Sequence, residues 1–458
     1  MILLLFLHVS LTSAEFLTPV PDDNATLPDL CEEDTAVSCT LVQIHLACLK
    51  DSTLVFNGTT LTLLDKPGNN TFTFSSEEGD EATFTMDSEL GAVWGHAHFA
   101  DGRDFIIEPN LENCPACHVV IEEDRQAFHE DHKVTPTLAE MRSDSKESWP
   151  GLGALLKKGR KDKTTMVTYT IKIYYTPEVK KAVGNDIKML KGLVDQVVAD
   201  TNQGYINSKI PLRITLHCME ETTKGESEVA DLDIFRRYKG GDNGLRGSAD
   251  AAALLISRHD RYCGVGYMPP YAEKDMSKWN FRHYMVSMTT LNCALGTATF
   301  GHEVSHNMGN DHDKYDKDNK IPYAQGYHLP GLDVRTIMAY VRPEKYGGGY
   351  RNEINYYSNP NVKFKNVPTG VKDKADSARL ITEHRFVIAG VGDESEKCSI
   401  NVSGGGGGKT TTSAPATTSS APPATSTTAA PATTTGSDNY YGGGGNGPDY
   451  NGGYVYYG

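Results

Sequence analysis

The stretch Gly301-His302-Glu303-Val304-Ser305-His306-Asn307-Met308-Gly309-Asn310-Asp311-His312-Asp313 constrains this chain more than any other. His302 and His306 are four residues apart, so on a helix they project from one face, one turn apart. The spacing predicts a helix over about Thr297–Met308. Gly309 lets the chain leave that helix sharply, because glycine takes positive φ at little cost. The turn brings His312 round as a third imidazole. Three neutral imidazoles in this arrangement suit one zinc ion and leave its fourth position open for water. Glu303 sits beside that position rather than on the metal. Its expected role is general base: it takes a proton from the attacking water and passes it to a leaving amine. Asp311 is expected to face solvent.

A second run, Thr336-Ile337-Met338-Ala339-Tyr340, begins shortly after the third His. Other runs follow one another in order: Tyr174-Tyr175-Thr176-Pro177, Asp200–Ser208, Cys263-Gly264-Val265-Gly266-Tyr267, Phe300–Asp313 and Tyr357-Ser358-Asn359-Pro360. Together they resemble the catalytic domain of the metzincin zinc metallopeptidases, reprolysin/adamalysin type, in the compact variety without a disintegrin domain. The resemblance spans about residues 164–395. It implies that Met338 forms the Met-turn beneath the metal and that Asp313 bonds backbone near it. It implies a zinc- or oxyanion-contacting role for Tyr340, against a plain packed loop tyrosine. It places Ser358-Asn359-Pro360 at the primed-side pocket. Ser305 stands where the family has Gly, and the Met-turn lacks the Cys that vertebrate members put before Ile-Met. The resemblance also implies a Cys263–Cys293 disulfide, which leaves Cys218 and Cys398 for each other, although four cysteines allow three pairings.

The chain opens with the apolar run Met1–Leu11 followed by Thr12-Ser13-Ala14, which reads as a secretory signal over 1–14. It is too short to span a bilayer, and no transmembrane segment is expected elsewhere. Sequons at Asn24, Asn57, Asn69 and Asn401 agree with a secreted, extracellular glycoprotein. Net charge is −15. Residues 15–160 hold 10 Lys/Arg against 27 Asp/Glu, and the remainder is nearly balanced. No basic region supports a nucleic-acid partner.

The expected fold class is α/β: a mainly parallel twisted sheet with a zinc helix and a small C-terminal subdomain over 162–400. A β-rich region over 15–161 precedes it, since short β-branched and aromatic runs alternate there with Gly, Asn and Asp clusters. Its segment Gly91–Gly102 with Phe105–Pro109 resembles reprolysin pro-domains, which implies that it inhibits its own catalytic domain. The basic cluster Lys157–Lys161 is a candidate processing site, against the alternative of a solvated linker. Val167–Tyr175 and Leu212–Met219 read as strands, and Pro177–Asn202 as the helix between them. Ala251–Ser257 reads as a buried strand and Tyr284–Thr289 as an edge strand.

A Gly hinge and Thr/Ser/Pro-rich stalk over 401–435 reads as mucin-like, and 436–458 as a disordered Gly/Tyr tail held away from the active site. Matrix attachment through that tail is expected.

The pro-region carries an odd number of cysteines, so a free thiolate from Cys114 or Cys117 is a candidate fourth zinc ligand in a latent form. The alternative is that these cysteines pair and inhibition is steric. Protein or peptide is the expected substrate, and a secreted latent zinc endopeptidase the expected function. The rival is an extracellular-matrix structural protein that uses the protease domain as a scaffold. A scaffold need not keep Glu303 and all three histidines, yet all are present.

Overall fold

Period-two alternation in the first third of the chain builds one antiparallel sheet of nine strands. These are β1 (Leu17–Pro19), β2 (Ala36–Ile44), β3 (Thr53–Phe56), β4 (Thr59–Gly68), β5 (Thr71–Ser75), β6 (Glu81–Asp87), β7 (Ala92–His98), β8 (Asp104–Pro109) and β9 (Cys117–Glu123). Their order is β1-β2-β9-β8-β7-β6-β5-β4-β3. Side chains alternate between two faces, as pleating requires. Val93, Ala97, Phe105 and Ile107 join a Phe-rich core with Phe56, Phe74 and Phe84. Phe16 meets Phe84 edge-on at 5.1 Å between ring centroids. Trp94, Ile106, Val119 and Ile121 point the other way, into the core of the following region. Asn57 and Gly58, both at positive φ, make the exposed β3–β4 turn, so the Asn57 sequon sits at a hairpin tip.

The computed structural model describes residues 16–20, 31, 36–68, 70–110, 117–123, 151–259, 262–268, 281–313, 321–340, 352–392 and 455–457. The signal segment, Asn24, Asn69, Cys114, Cys398, Asn401 and the stalk lie outside these residues.

After helix α1 (Leu152–Lys161) the second region runs β10 (Val167–Tyr175), α2 (Pro177–Ala182), α3 (Ile187–Asn207), β11 (Leu212–Glu221), β12 (Ala251–Ile256), β13 (Gly264–Tyr267), β14 (Val286–Thr290) and α4 (Thr299–Asn307). A parallel pair follows, β15 (Val334–Thr336) with β16 (Asn352–Ile354), then a hairpin, β17 (Lys363–Phe364) with β18 (Val367–Pro368). Helix α5 (Ser377–Ile388) and strand β19 (Val455–Tyr457) complete the elements used below. The main sheet has order β11-β10-β12-β14-β13-β19. Strands β10, β11, β12 and β14 are parallel, and α3 supplies the crossover from β10 to β11. Strand β13 runs antiparallel to β14.

The structure departs from the sequence expectations at four points. The helix expected over Pro177–Asn202 is two helices. Gly184 and Asn185 take φ of 67° and 60° and break it, and Asp186 caps the restart by accepting from the Lys188 amide at 2.8 Å. The strand expected at the sheet edge, now β14, lies inside between β12 and β13. The basic cluster Lys157–Lys161 lies in α1, not in a linker. Gly159 packs so closely on α5 that an added Cβ would lie 2.0 Å from the Glu383 carbonyl oxygen. A helix anchored in this way does not present the extended backbone that a processing protease needs. Just after α1, the fully buried Arg385 of α5 donates to the Asp162 carbonyl at 2.9 Å and the Thr165 carbonyl at 3.0 Å, which fixes the lead into β10. Finally, the tail is not wholly separate: Val455–Tyr457 pairs with β13.

Among the described residues no helix is long and apolar enough to cross a membrane.

Candidate metal centre

Helix α4 carries the first two imidazoles, and the turn after it carries the third. Gly309 takes φ of 101°, and the Asn310 amide donates to the Ser305 carbonyl at 3.1 Å, closing the helix end. That turn brings His312 Nε2 to 2.9 Å from His302 Nε2 and 3.0 Å from His306 Nε2. The three residues offer ligand atoms that all lie within 4.8 Å of one another. Tetrahedral zinc with Zn–N of 2.0–2.1 Å needs about 3.3 Å between ligand nitrogens, so a small outward shift completes the site. The other ring nitrogens are held by backbone. His302 Nδ1 donates to the Ile337 carbonyl at 2.7 Å, and His306 Nδ1 to the Asn310 carbonyl at 2.8 Å. A proton placed there leaves Nε2 as a lone-pair donor toward the cluster centre. Burial first, then the neighbouring imidazoles, pushes the pKa of His306 and His312 well down, which favours the neutral form that binds metal.

Glu303 is fully buried, and neither carboxylate oxygen meets a hydrogen-bond donor among the described residues. Burial pushes its pKa well up. A buried carboxylate without a partner is costly, so its place beside three converging imidazoles fits a group that works on a ligand rather than on the fold. The three convergent Nε2 atoms are a donor set that suits zinc, and zinc is the cofactor of this site.

Strand β13 walls the site, a contact the sequence reading did not single out. An added Cβ at Gly264 would lie 2.6 Å from Glu303 Cγ, and one at Gly266 would lie 2.6 Å from the Glu303 carbonyl oxygen. Two glycines two apart therefore allow the strand to lie directly on α4. Asn307 Nδ2 locks that contact by donating to the carbonyls of Tyr267 at 2.7 Å, Val286 at 3.0 Å and Tyr284 at 3.2 Å.

Met338 is fully buried, in a core with Tyr205, Met308 and Ile337, and its neighbour Ile337 accepts from His302 Nδ1. Asp313 Oδ1 accepts from the Tyr340 amide at 3.3 Å, which joins the end of the zinc motif to the Met-turn. The Tyr340 ring lies 3.7 Å from the His312 ring, centroid to centroid. Arg335 donates to the Ala339 carbonyl and to Glu353 Oε2, both at 2.6 Å. Glu353 Oε1 accepts from the Ala298 amide at 3.0 Å, at the positive end of α4. This buried pair couples the Met-turn to the start of the zinc helix. Ser305, in the place of the family's Gly, is fully buried and donates to Tyr357 Oη at 2.9 Å.

Three expectations fail here. Asp311 does not face solvent: it is 2% exposed, and its Oδ1 accepts from the His312 amide at 2.8 Å, shaping the turn. Ser358 does not line a pocket. It is fully buried and donates to the Gln325 carbonyl at 2.6 Å, while Asn359 Nδ2 donates to the Ser208 carbonyl at 2.9 Å. Cys117 is disulfide-bonded, so it has no thiolate to offer the metal. Cys263 and Cys293 are joined, Cα to Cα 5.5 Å, which ties the start of β13 to the turn before α4. Cys218 is also in a disulfide, and Cys31 pairs with Cys39.

Residues 193–313 match the reprolysin-like metallo-peptidase family M12B. A peptidyl-Asp metalloendopeptidase of Stenotrophomonas maltophilia strain K279a is 28% identical over 239 residues, covering 49% of this chain and 53% of that protein. One from Xanthomonas campestris is 27% identical over 323 residues, covering 68% of this chain and 67% of that protein. The chain thus spans between about half and two thirds of the length of these relatives. Metalloproteinase-II from Bacteroides fragilis aligns over 68% of this chain and 85% of its own at 12% identity, with a TM-score of 0.27. The matched segment ends on the third histidine and the Asp that follows it, and contains the whole His302–Glu303–His306–His312 constellation, so the chain carries a reprolysin-like metallopeptidase domain of the metzincin type.

Proposed function

We propose that this protein is a secreted zinc endopeptidase made as a latent precursor. The observation that carries the reading is the buried, unpartnered Glu303 carboxylate beside three imidazoles with converging Nε2 atoms. Zinc bound by His302, His306 and His312 supplies a Lewis acid that lowers the pKa of water from 15.7 to about 7. Glu303 takes a proton from the attacking water and hands it to the amine of the cleaved bond, so no covalent enzyme intermediate forms. Ile337 and Asn310, through their carbonyls, keep His302 and His306 in the tautomer that points Nε2 inward. Strand β13 excludes water from one side of Glu303 and offers backbone for an extended peptide. The ring contact of Tyr340 with His312 supports a place for it at the margin of the metal, where its hydroxyl would meet charge developing on the substrate carbonyl.

The N-terminal β-region serves as the pro-domain. Its Trp94 face is buried against α3, and this supports inhibition by mass rather than by a Cys117 thiolate. The signal-like start and the exposed Asn57 sequon support secretion. The Gly/Tyr tail supports attachment to extracellular matrix, which deletion of residues 403–458 tests by moving protein from the insoluble to the soluble fraction. The relatives' name raises cleavage at Asp as a question for this chain, and a peptide library with Asp at varied positions tests it. The purified processed protein is expected to carry one zinc, to lose peptide cleavage with a chelator and to regain it with added zinc. Cleavage that persists without metal would overturn the reading.

A further inference from the structure

Strand β13 has two edges. One pairs with β14, at Gly264↔Thr289, Val265↔Met288 and Gly266↔Ser287. The other carries the chain's own C-terminal segment, antiparallel, at Val265↔Tyr457, Gly266↔Tyr456 and Tyr267↔Val455. Paired strands lie about 4.8 Å apart, so whatever occupies this outer edge runs one strand away from the backbone that rests on Glu303. Asn307 fixes that backbone by bonding the Tyr267 carbonyl.

We infer that Val455–Tyr457, seated on the outer edge of β13, is an intramolecular competitor of the extended peptide substrate that the endopeptidase reading places along that strand. The competition rests on the endopeptidase reading; the seating of the tail does not. Three features favour this occupant. Val455-Tyr456-Tyr457 is an uninterrupted run of strong strand formers, whereas residues 442–453 are mainly glycine with Asn, Asp, Pro and one Tyr. Residues 436–458 hold no Lys or Arg, so no fixed positive charge is brought toward the metal. The tether between Gly392 and Val455 has an extended reach of up to about 3.3 Å per residue, ample to return to the sheet, and tethering makes the pairing intramolecular. A three-residue strand then suffices for partial occupancy. It yields to a longer substrate that pairs with the same edge and fills side-chain pockets as well. The tail thereby tunes apparent affinity without touching the chemistry.

The test replaces Val455, Tyr456 and Tyr457 together by Pro in the full chain, which removes every tail N–H on this edge. Hydrogen exchange of the peptides covering β10 and β12, read in the same experiment, checks that the fold persists. Hydrogen exchange of the peptide containing Gly264–Tyr267 is read first and needs no activity. Faster exchange in the variant is expected, and identical exchange overturns the seating. On the processed protein, KM for a peptide substrate is expected to fall several-fold with kcat unchanged. A synthetic peptide of residues 453–458 is expected to raise the variant's KM competitively. Unchanged KM, or inhibition that is not competitive, overturns the competition. Absence of chelator-sensitive cleavage in both chains sinks the peptidase reading instead, and the exchange result still decides where the tail sits.

Discussion

Arg335 and Glu353 show how single residues hold this site together. Their side chains are 6% and 10% exposed, and between them they bond the Met-turn and the first turn of α4. Breaking a buried pair from one side leaves a stranded charge and costs about 3–5 kcal/mol. Arg335→Met is therefore expected to lower stability by that order in thermal or urea unfolding. The double change Arg335→Met with Glu353→Gln is expected to cost less than the single one. A double variant as unstable as the sum of the two singles would remove the coupling.

Asp376 makes a pH prediction at the same scale. It caps α5, accepting from the Arg379 amide at 3.2 Å, and burial pushes its carboxyl up to about 6. A folded pKa above the unfolded 3.8 means that the native state binds the extra proton. The stabilisation is complete below about pH 4 and is lost as pH rises through about 6. The loss is up to about 3 kcal/mol. Asn caps as well as Asp and does not titrate. Asp376→Asn should therefore flatten the decline in stability between pH 4 and 7, as followed by unfolding midpoints. A variant that declines as steeply as the parent would contradict this. The residues that carry the chemistry were legible in the sequence, because the spacing of His302, His306 and His312 is a local geometric demand. Asp311 was not: its burial depends on the loop near Gln325 folding over it, and no local pattern encodes that.

Among elements, the clearest contact is between β7 and α3. An added Cβ at Gly192 would lie 2.2 Å from Trp94 Cη2, so a glycine inside a helix is tolerated here because it makes room for an indole. Gly→Ala in an exposed helix is worth roughly 0.5–1 kcal/mol of stabilisation. Here Gly192→Ala is expected to destabilise instead, and Trp94→Ala to cost about 3–5 kcal/mol. In the uncleaved chain, either change should speed hydrogen exchange of β7 and α3, while the parent stays protected. Equal exchange in all three proteins would show that this contact does not hold the regions together.

Strand β10 was legible because its nine residues alternate and are β-rich, and the structure begins and ends it at the expected residues, Val167 and Tyr175. The next strands were harder. Strand β13 contains two glycines, which lower strand propensity, so the sequence put the sheet edge at β14. Those same glycines let the strand rest on Glu303. The break between α2 and α3 was hidden because apolar spacing continues across Gly184-Asn185.

For the whole molecule, two regions share one core through the outer face of the N-terminal sheet, and the C-terminal segment returns to the catalytic sheet. Neither association has a sequence signal of its own: each joins residues far apart in the chain. A strand edge asks only for backbone and three suitable residues, so Val455–Tyr457 pairs there without any core of its own. The account as a whole stands on Glu303. Glu303→Gln keeps the shape of the side chain and spares all three imidazoles. The measurement is zinc content and kcat/KM of this variant beside the parent, both processed. The account predicts one zinc per chain in each protein and a loss of activity of roughly a thousandfold or more, since a positioned base contributes about 10²–10⁴-fold. A variant that holds zinc and cleaves peptide at close to the parental rate would contradict it.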